Sequence, residues 1–409
     1  MSTETSTERL DWTGRQFQVE IGAVAHGGHC VARHEGRVVF VRHALPGELA
    51  VVEVTEDHGG SFCRAEAVQV LRPSPDRVEP SCPLARPGGC GGCDWQHASA
   101  EAQRRFKAEV VAEQLRRIAG LELPVQVEAL PVGDEPGALL RWRTRVRLAV
   151  DRRGRPGFRK YRSHEVVPVT DCPISVAGAV EQVLGRRWPR GSELSVVADA
   201  TGQFHVTELP RHGRARPVSG GEVVEHAAGR RWRLSPAVFW QVHRAAADVL
   251  AGVVREWADA PTGGVAWDLY GGVGLFAAVL AEQVGPDGSV LVVECSSQST
   301  ATGVVNLADL PQVRIRPGHV EKVLTHPDLA DERPDVVVLD PPRKGAGRRV
   351  VDAVAGRGPT RVVHVACDPA ALARDVSLFL RHGYRLAGLR AFDAFPMTHH
   401  VECVALLTR

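Results

Sequence analysis

Hydrophobic positions follow three regimes along the chain. From about Gln16 to Leu71 they alternate with polar ones in short runs, QFQVEIGAVA, GRVVFVRHA, ELAVVEVTE and FCRAEAVQVL, separated by glycine pairs and Pro46-Gly47. Period-two alternation of this length predicts half-buried strands, and several in succession predict a small antiparallel barrel. From Ala98 to Ile118 the spacing is helical. Beyond Trp232, continuous apolar runs alternate with helical spacing. Strands are expected at Val265–Tyr270, Ser289–Cys295, VRIRPG, Asp335–Asp340 and RVVHVACD. Helices are expected at LSPAVFWQVHRAAADVLAGVVREW, beginning after the cap pair Ser235-Pro236, then at LFAAVLAEQVG, SSQSTATGVVNLADL and Ala370–Phe379. This alternation predicts an α/β fold, a doubly wound Rossmann-like sheet with right-handed crossovers. The segments YRLAGLRAFDAF and HVECVALLTR close it as an antiparallel pair.

Three domains follow: a β-barrel over 10–72, a central α+β domain over 73–230 and the doubly wound domain over 231–409. A chain of 409 residues accommodates all three. The formal charge of +2 is near neutral, so any nucleic-acid surface must come from local patches. Candidates are Arg33, Arg37, Arg42 and Arg64 in the barrel, the basic residues between Arg104 and Arg117, and the tract Arg141–Arg162. Alternation places Arg141, Arg143, Arg145 and Arg147 on one strand face. With Trp142, Phe158 and Tyr161 interleaved, that row points to phosphate neutralisation with base stacking. The N-terminal MSTETSTERL lacks the apolar core of a secretory signal, and no apolar run is long enough to span a bilayer. A cytoplasmic monomer with no membrane and no evident protein partner is expected.

Nine cysteines are an odd number for a disulfide scaffold. Cys30, Cys63, Cys295 and Cys403 are scattered and expected in the core. Cys82, Cys90 and Cys93 instead follow a proline-rich linker as C-x7-C-x2-C. A structural zinc or an iron–sulfur cluster needs a fourth thiolate, and Cys172 in TDCPI repeats the Cys-Pro context of Cys82. Spacing alone leaves zinc and iron open.

Chemistry concentrates where the later strands end. The loop DLYGGVG has no basic residue for a diphosphate, and Glu294 at the end of the next strand suits ribose hydroxyls. Together they point to S-adenosylmethionine rather than NAD. DPPRKG ends the fourth strand in a rigid loop able to clamp a planar substrate. Cys367 sits where a strand stops and a helix begins, and the positive end of that helix is expected to lower its pKa.

In order and spacing, FWQVH, DLYGGVG, LDPPRKG, VACDPAALARD and FPMTHHVE resemble the RNA (uracil-5-)-methyltransferases, and the resemblance covers nearly the whole chain. It implies a TRAM barrel at the N-terminus and a [4Fe-4S] cluster on Cys82, Cys90, Cys93 and Cys172 in an iron–sulfur central domain. Gln241, Tyr270 and Glu294 match S-adenosylmethionine contacts, and Asp340 matches an aspartate of the cofactor and uracil pocket. Cys367 matches the nucleophile that adds to C6 of uracil, and Glu402 the base that removes the C5 proton. Gly271 stands where the family often has cysteine, an innocent change in a tight turn. Leu275 replaces an asparagine used near the cofactor by some members. Met397 and His399 depart from F-P-H-T-x-H, leaving His400 as the matching histidine. The implied function is formation of 5-methyluridine in structured RNA, with family analogy favouring ribosomal RNA over transfer RNA. The alternatives are a tRNA uridine-54 C5 methyltransferase and a non-catalytic iron–sulfur RNA-binding protein. An amino-methyltransferase acting on protein or DNA would carry an N-P-P-Y loop, against Asp340-Pro341-Pro342-Arg343 here.

Overall fold

The computed structural model describes residues 11–132, 135–136 and 138–409; the polar stretch 1–10 lies outside them. Two compact units result. The first runs to Phe106 and includes Phe158–Val167 and Met397–His399; the second contains Lys107–Gly157, Pro168–Pro396 and His400–Arg409.

In the first unit the alternating segments form one five-stranded sheet. Its order is Gln16–Glu20, Leu49–Asp57, Phe62–Arg72, Arg37–Arg42, Cys30–His34. Alternate residues Val39, Val41, Ala50, Val52 and Val54 point into a dry core, as period two requires. Three of the four barrel arginines that the sequence offers for RNA are engaged within the unit. Arg37 is buried and bonds Asp57 at 2.6 Å, with its guanidinium over Trp12. Arg42 is buried over the Tyr161 ring at 3.8 Å, and Arg64 bonds Glu56 at 2.9 Å. Their charge is neutralised or stacked within the unit, and only Arg33 of the four is exposed.

The second unit holds the doubly wound sheet. Its eight strands run Val313–Pro317, Ser289–Glu294, Val265–Leu269, Val336–Leu339, Arg361–Ala366, Glu402–Thr408, Arg385–Asp393, Val127–Ala129. The first five are parallel, and Glu402–Thr408 is antiparallel to both neighbours, as expected of the C-terminal pair. Helices Leu275–Val284, Ser297–Asn306, Arg348–Ala355 and Pro369–Arg381 alternate with these strands. Burial of both sheet faces explains why the strands read as continuous apolar runs.

Three expectations are corrected here. The helix expected after Ser235-Pro236 begins only at Ala246. Ser235-Pro236 forms a turn instead, in which the Val238 N–H donates to the Ser235 carbonyl. The segment up to Ala245 stays irregular because Val238, Trp240 and His243 are buried at positions a regular helix would not align.

The arginine row is the second correction. The strand starts at Arg145, and Arg141 has φ +58°, so the row is not one continuous face. Arg141 pairs with Asp171, Arg145 with Glu225 and Arg147 with Glu193. Trp142, 1% exposed, stacks on His243 and cannot meet a base.

Among the scattered cysteines, Cys30, Cys63 and Cys403 are buried as expected, but Cys295 is exposed where its strand has already ended.

Candidate active site

Parallel strands bring their carboxyl ends to one edge, and five of the six expected catalytic and cofactor residues lie on that edge. Tyr270 follows Val265–Leu269, Glu294 ends Ser289–Glu294, and Asp340 follows Val336–Leu339. Cys367 follows Arg361–Ala366. Glu402 starts the antiparallel strand and so meets the same edge with its amino end. The last pair in that ladder is Ala366 with Cys403, which sets Cys367 and Glu402, the next residues, opposite each other. Neighbouring strands are about 4.8 Å apart, so thiol and carboxyl share one small volume. The sixth residue, Gln241, is half-buried on the irregular segment before Ala246, and among the described residues its side chain makes no hydrogen bond.

The glycine loop is shaped by two acids, one half-buried and one buried. Glu294 accepts from the Gly272 N–H at 3.0 Å and the Ser296 N–H at 2.6 Å, so it ties loop and strand end together. Asp268, missed by the sequence reading, is fully buried and accepts from the Ala277 N–H at 2.8 Å through one oxygen. Its other oxygen has no partner. A Cβ at Gly271 would lie 2.6 Å from Val292 and 2.8 Å from this carboxyl, so glycine here is a steric requirement rather than an innocent change. Tyr270 adopts φ +66° as the chain turns out of the strand.

Burial, not the helix, governs the thiol. It pushes the Cys367 thiol up to about 11, with the nearby Glu402 and Asp340 adding to the shift. The expected lowering by the helix Pro369–Arg381, which Asp368 caps through the Ala371 N–H at 2.8 Å, is outweighed by burial and the two acids. Burial also raises Asp340 to about 7, with Glu294 reinforcing and His364 opposing. Asp268 is raised to about 7 by burial, then by Asp340 and Glu294. Glu402, buried beside Asp340, is held well above the carboxylate range. A site with this many acids and so little solvent favours a bound cation.

His364 and Asp375 also escaped the sequence reading. Each is buried, the two are 3.0 Å apart, and Asp375 accepts from the Ala346 and Gly347 N–H groups of the loop carrying Asp340. Their signal was visible: Asp268 in VAWDLY and His364 in RVVHVA each interrupt an apolar strand with one polar group.

In the first unit, Cys82, Cys90 and Cys93 are half-exposed. Backbone and side-chain N–H groups approach two of the sulfurs, Gly92 N to Cys90 Sγ and Gln96 Nε2 to Cys93 Sγ, both at 3.4 Å. Such donors suit thiolates. Yet among the described residues no group of three or more His, Cys, Asp or Glu is placed to hold a metal ion. The departures Met397 and His399 have defined roles in this unit: Gln103 accepts from the Met397 N–H at 2.7 Å, and Asp94 bonds the His399 ring at 2.7 Å.

Fold and sheet edge together define a methyltransferase of the doubly wound type. The TRAM domain model matches residues 12–68, and the tRNA (uracil-5-)-methyltransferase model matches residues 321–409. A protein of Streptomyces coelicolor described as an uncharacterized RNA methyltransferase is 47% identical over 99% of this chain and 95% of its own. The 23S rRNA (uracil(1939)-C(5))-methyltransferase of Vibrio parahaemolyticus is 30% identical over 97% of this chain and 96% of its own. The crystal structure of Pyrococcus abyssi tRNA (uracil-54, C5)-methyltransferase with S-adenosyl-L-homocysteine matches with TM-score 0.71, covering 96% of this chain and all of that one at 22% identity, which speaks to the fold. The chain belongs to the RNA (uracil-5-)-methyltransferase family and carries a TRAM domain.

Proposed function

We propose that this enzyme methylates C5 of a uridine in structured RNA, with Cys367 as covalent nucleophile and Glu402 as the base. The observation that carries the proposal is the meeting of Cys367, Glu402 and Asp340 at one sheet edge. C5 of uracil is a weak nucleophile. Addition of a thiolate at C6 makes C5 an enolate carbon able to take a methyl group. The C5 hydrogen must then leave as a proton before the C6–S bond can break, and Glu402 faces the thiol from the adjacent strand. The target base must also leave its stack to enter the site.

S-adenosylmethionine, when bound, supplies the methyl group on a sulfonium cation. The residues fit it: Glu294, Asp268 and Asp340 gather acid charge at this edge, and Asp268 has an unpartnered buried oxygen. Gln241, Tyr270 and Glu294 would hold it, Glu294 through the ribose hydroxyls, and Asp340 would stand between cofactor and uracil. A cation entering this site would lower the cost of ionising Cys367 and Glu402, which is how a thiol raised by burial becomes a nucleophile.

Family likeness to the Vibrio enzyme and the presence of the TRAM domain favour ribosomal RNA as substrate over transfer RNA. The family resemblance further supports a [4Fe-4S] cluster on Cys82, Cys90, Cys93 and Cys172. Anaerobically purified protein should then contain about four irons and four sulfides per chain and absorb broadly in the visible. Colourless protein with stoichiometric zinc would overturn this assignment. The function is tested by incubating wild type and Cys367→Ala with cellular RNA lacking 5-methyluridine. Wild type should label one or a few uridines and Cys367→Ala none; no transfer by intact wild type would overturn the proposal.

A further inference from the structure

His364 lies in the middle of the sheet, 0% exposed, on the strand that ends at Cys367. Its ladder partner on the neighbouring strand is Leu339, the residue before Asp340. Both ring nitrogens face acceptors. Nδ1 is 3.0 Å from the Val365 carbonyl oxygen, and Nε2 is 3.0 Å from Asp375 Oδ2. A carbonyl and a carboxylate can only accept, so a neutral ring, with one N–H, can satisfy just one of them. Asp375 in turn accepts from the Ala346 and Gly347 N–H groups at 2.7 and 3.0 Å, an arrangement that suits a carboxylate and not a carboxylic acid. Gly345 makes this approach possible: at φ +85°, a Cβ there would lie 2.7 Å from Asp375 Oδ2.

We propose that His364 is a buried imidazolium paired with Asp375, and that this pair is a positioning device for methyl transfer. Through Asp375 it straps the loop that carries Asp340 to the helix that follows Cys367. Through its charge it is a fixed cation beside Asp375 and Asp340. The charged groups that reach it are Asp375 from the helix and Asp340 at the end of the neighbouring strand; alternation along the strands turns Cys367 and Glu402 to the other face of the sheet. His364 and Asp375 touch no reacting atom; they act by fixing where Asp340 stands relative to Cys367 and by favouring its ionised form.

The kinetic side of this inference rests on the methyltransferase reading, whereas the charge state does not, and two measurements separate them. In full-length wild-type protein labelled with 15N-histidine, the His364 ring should show two protonated nitrogens at pH 7, identified by loss of its signals in His364→Gln. A signal from one unprotonated nitrogen would overturn the ion pair whether or not the enzyme is active. In the methyl-transfer assay, His364→Gln and Asp375→Asn should each lower kcat at least about tenfold, with KM for RNA and for the methyl donor within threefold of wild type. Their pH–rate profiles should move to higher pH as Asp340 loses its cation. The double variant should lose no more than the worse single one, since it removes both charges together. Single variants within twofold of wild type, or losses that multiply in the double variant, would overturn the positioning role. Variants too unstable to assay leave the ring nitrogens of the wild type to decide. Wild type without methyl transfer would instead count against the methyltransferase reading.

Discussion

Two basic stretches in the second unit look alike in sequence and differ in what their charge does. In the row from Arg141 to Arg147, three arginines are paired with Asp171, Glu225 and Glu193, and the intervening Trp142 is core. In the loop after Asp340 and the first turn of the helix Arg348–Ala355, the side chains of Arg343, Lys344, Arg348 and Arg349 are exposed, and among the described residues none makes an ion pair. The first stretch stabilises a sheet; the second surrounds the chemical edge with free positive charge. Density of arginine is therefore a poor guide to an RNA surface, and the absence of carboxylate partners is a better one.

The largest expected effect is on the chemistry that the second stretch surrounds. Glu402→Gln should lower turnover by about 10²–10⁴-fold and let the methylated RNA–Cys367 adduct accumulate, visible as a protein–RNA band resistant to denaturant. Next in size, Arg145→Gln should leave RNA affinity within twofold but cost about 3 kcal/mol of stability, because Glu225 is left buried without its partner. Thermal unfolding would show it as a lower midpoint. By contrast, the combined change Lys344→Gln, Arg348→Gln and Arg349→Gln should leave the midpoint unchanged. It should weaken RNA binding about tenfold at low salt and reduce the salt slope by about 0.7 for each phosphate no longer neutralised. An equal loss of RNA affinity from Arg145→Gln would erase the distinction between the two stretches.

The smallest effect is a pH dependence. Burial raises Asp268, Asp340 and Glu225 to about 7 from their ordinary acid range. A group raised in the folded state contributes stability that is complete below its unfolded value and is lost as pH rises through the folded value. Buried histidines lowered to about 4, such as His29 and His243, act in the opposite direction, but only below about pH 6.5. Between pH 6.5 and 8 these two histidines no longer contribute, so the unfolding midpoint of the ligand-free protein should fall. Asp340→Asn should fall less over the same interval.

The doubly wound sheet was legible because parallel strands buried on both faces have no polar positions to blur them. The residues at its carboxyl edge were legible for the same reason, since each stands where an apolar run stops. What the sequence could not show were properties created by neighbours distant along the chain. Asp171, Glu225 and Glu193 sit 30, 80 and 46 positions from the arginines they neutralise. Glu402 lies 35 positions beyond Cys367, and it, Asp340 and burial together outweigh the expected helix effect. His364 and Asp375 read as one odd polar residue in a strand and one acid on a helix, and their meaning lies in the loop backbone between Pro342 and Arg348 that they hold. The Ser235-Pro236 cap failed because burial of Val238, Trp240 and His243 outweighs a local capping preference.

The central claim is that Cys367 becomes covalently bound to C6 of the target uracil. Incubating the enzyme and the methyl donor with target RNA in which 5-fluorouridine replaces uridine tests it most directly, because fluorine cannot leave C5 as a proton and the adduct persists. Digestion and mass spectrometry should find a methylated fluorouridine nucleotide on the peptide containing Cys367, one per chain, and none in Cys367→Ala. Methyl transfer to normal RNA without any trapped adduct, or an adduct on another cysteine, would contradict the account.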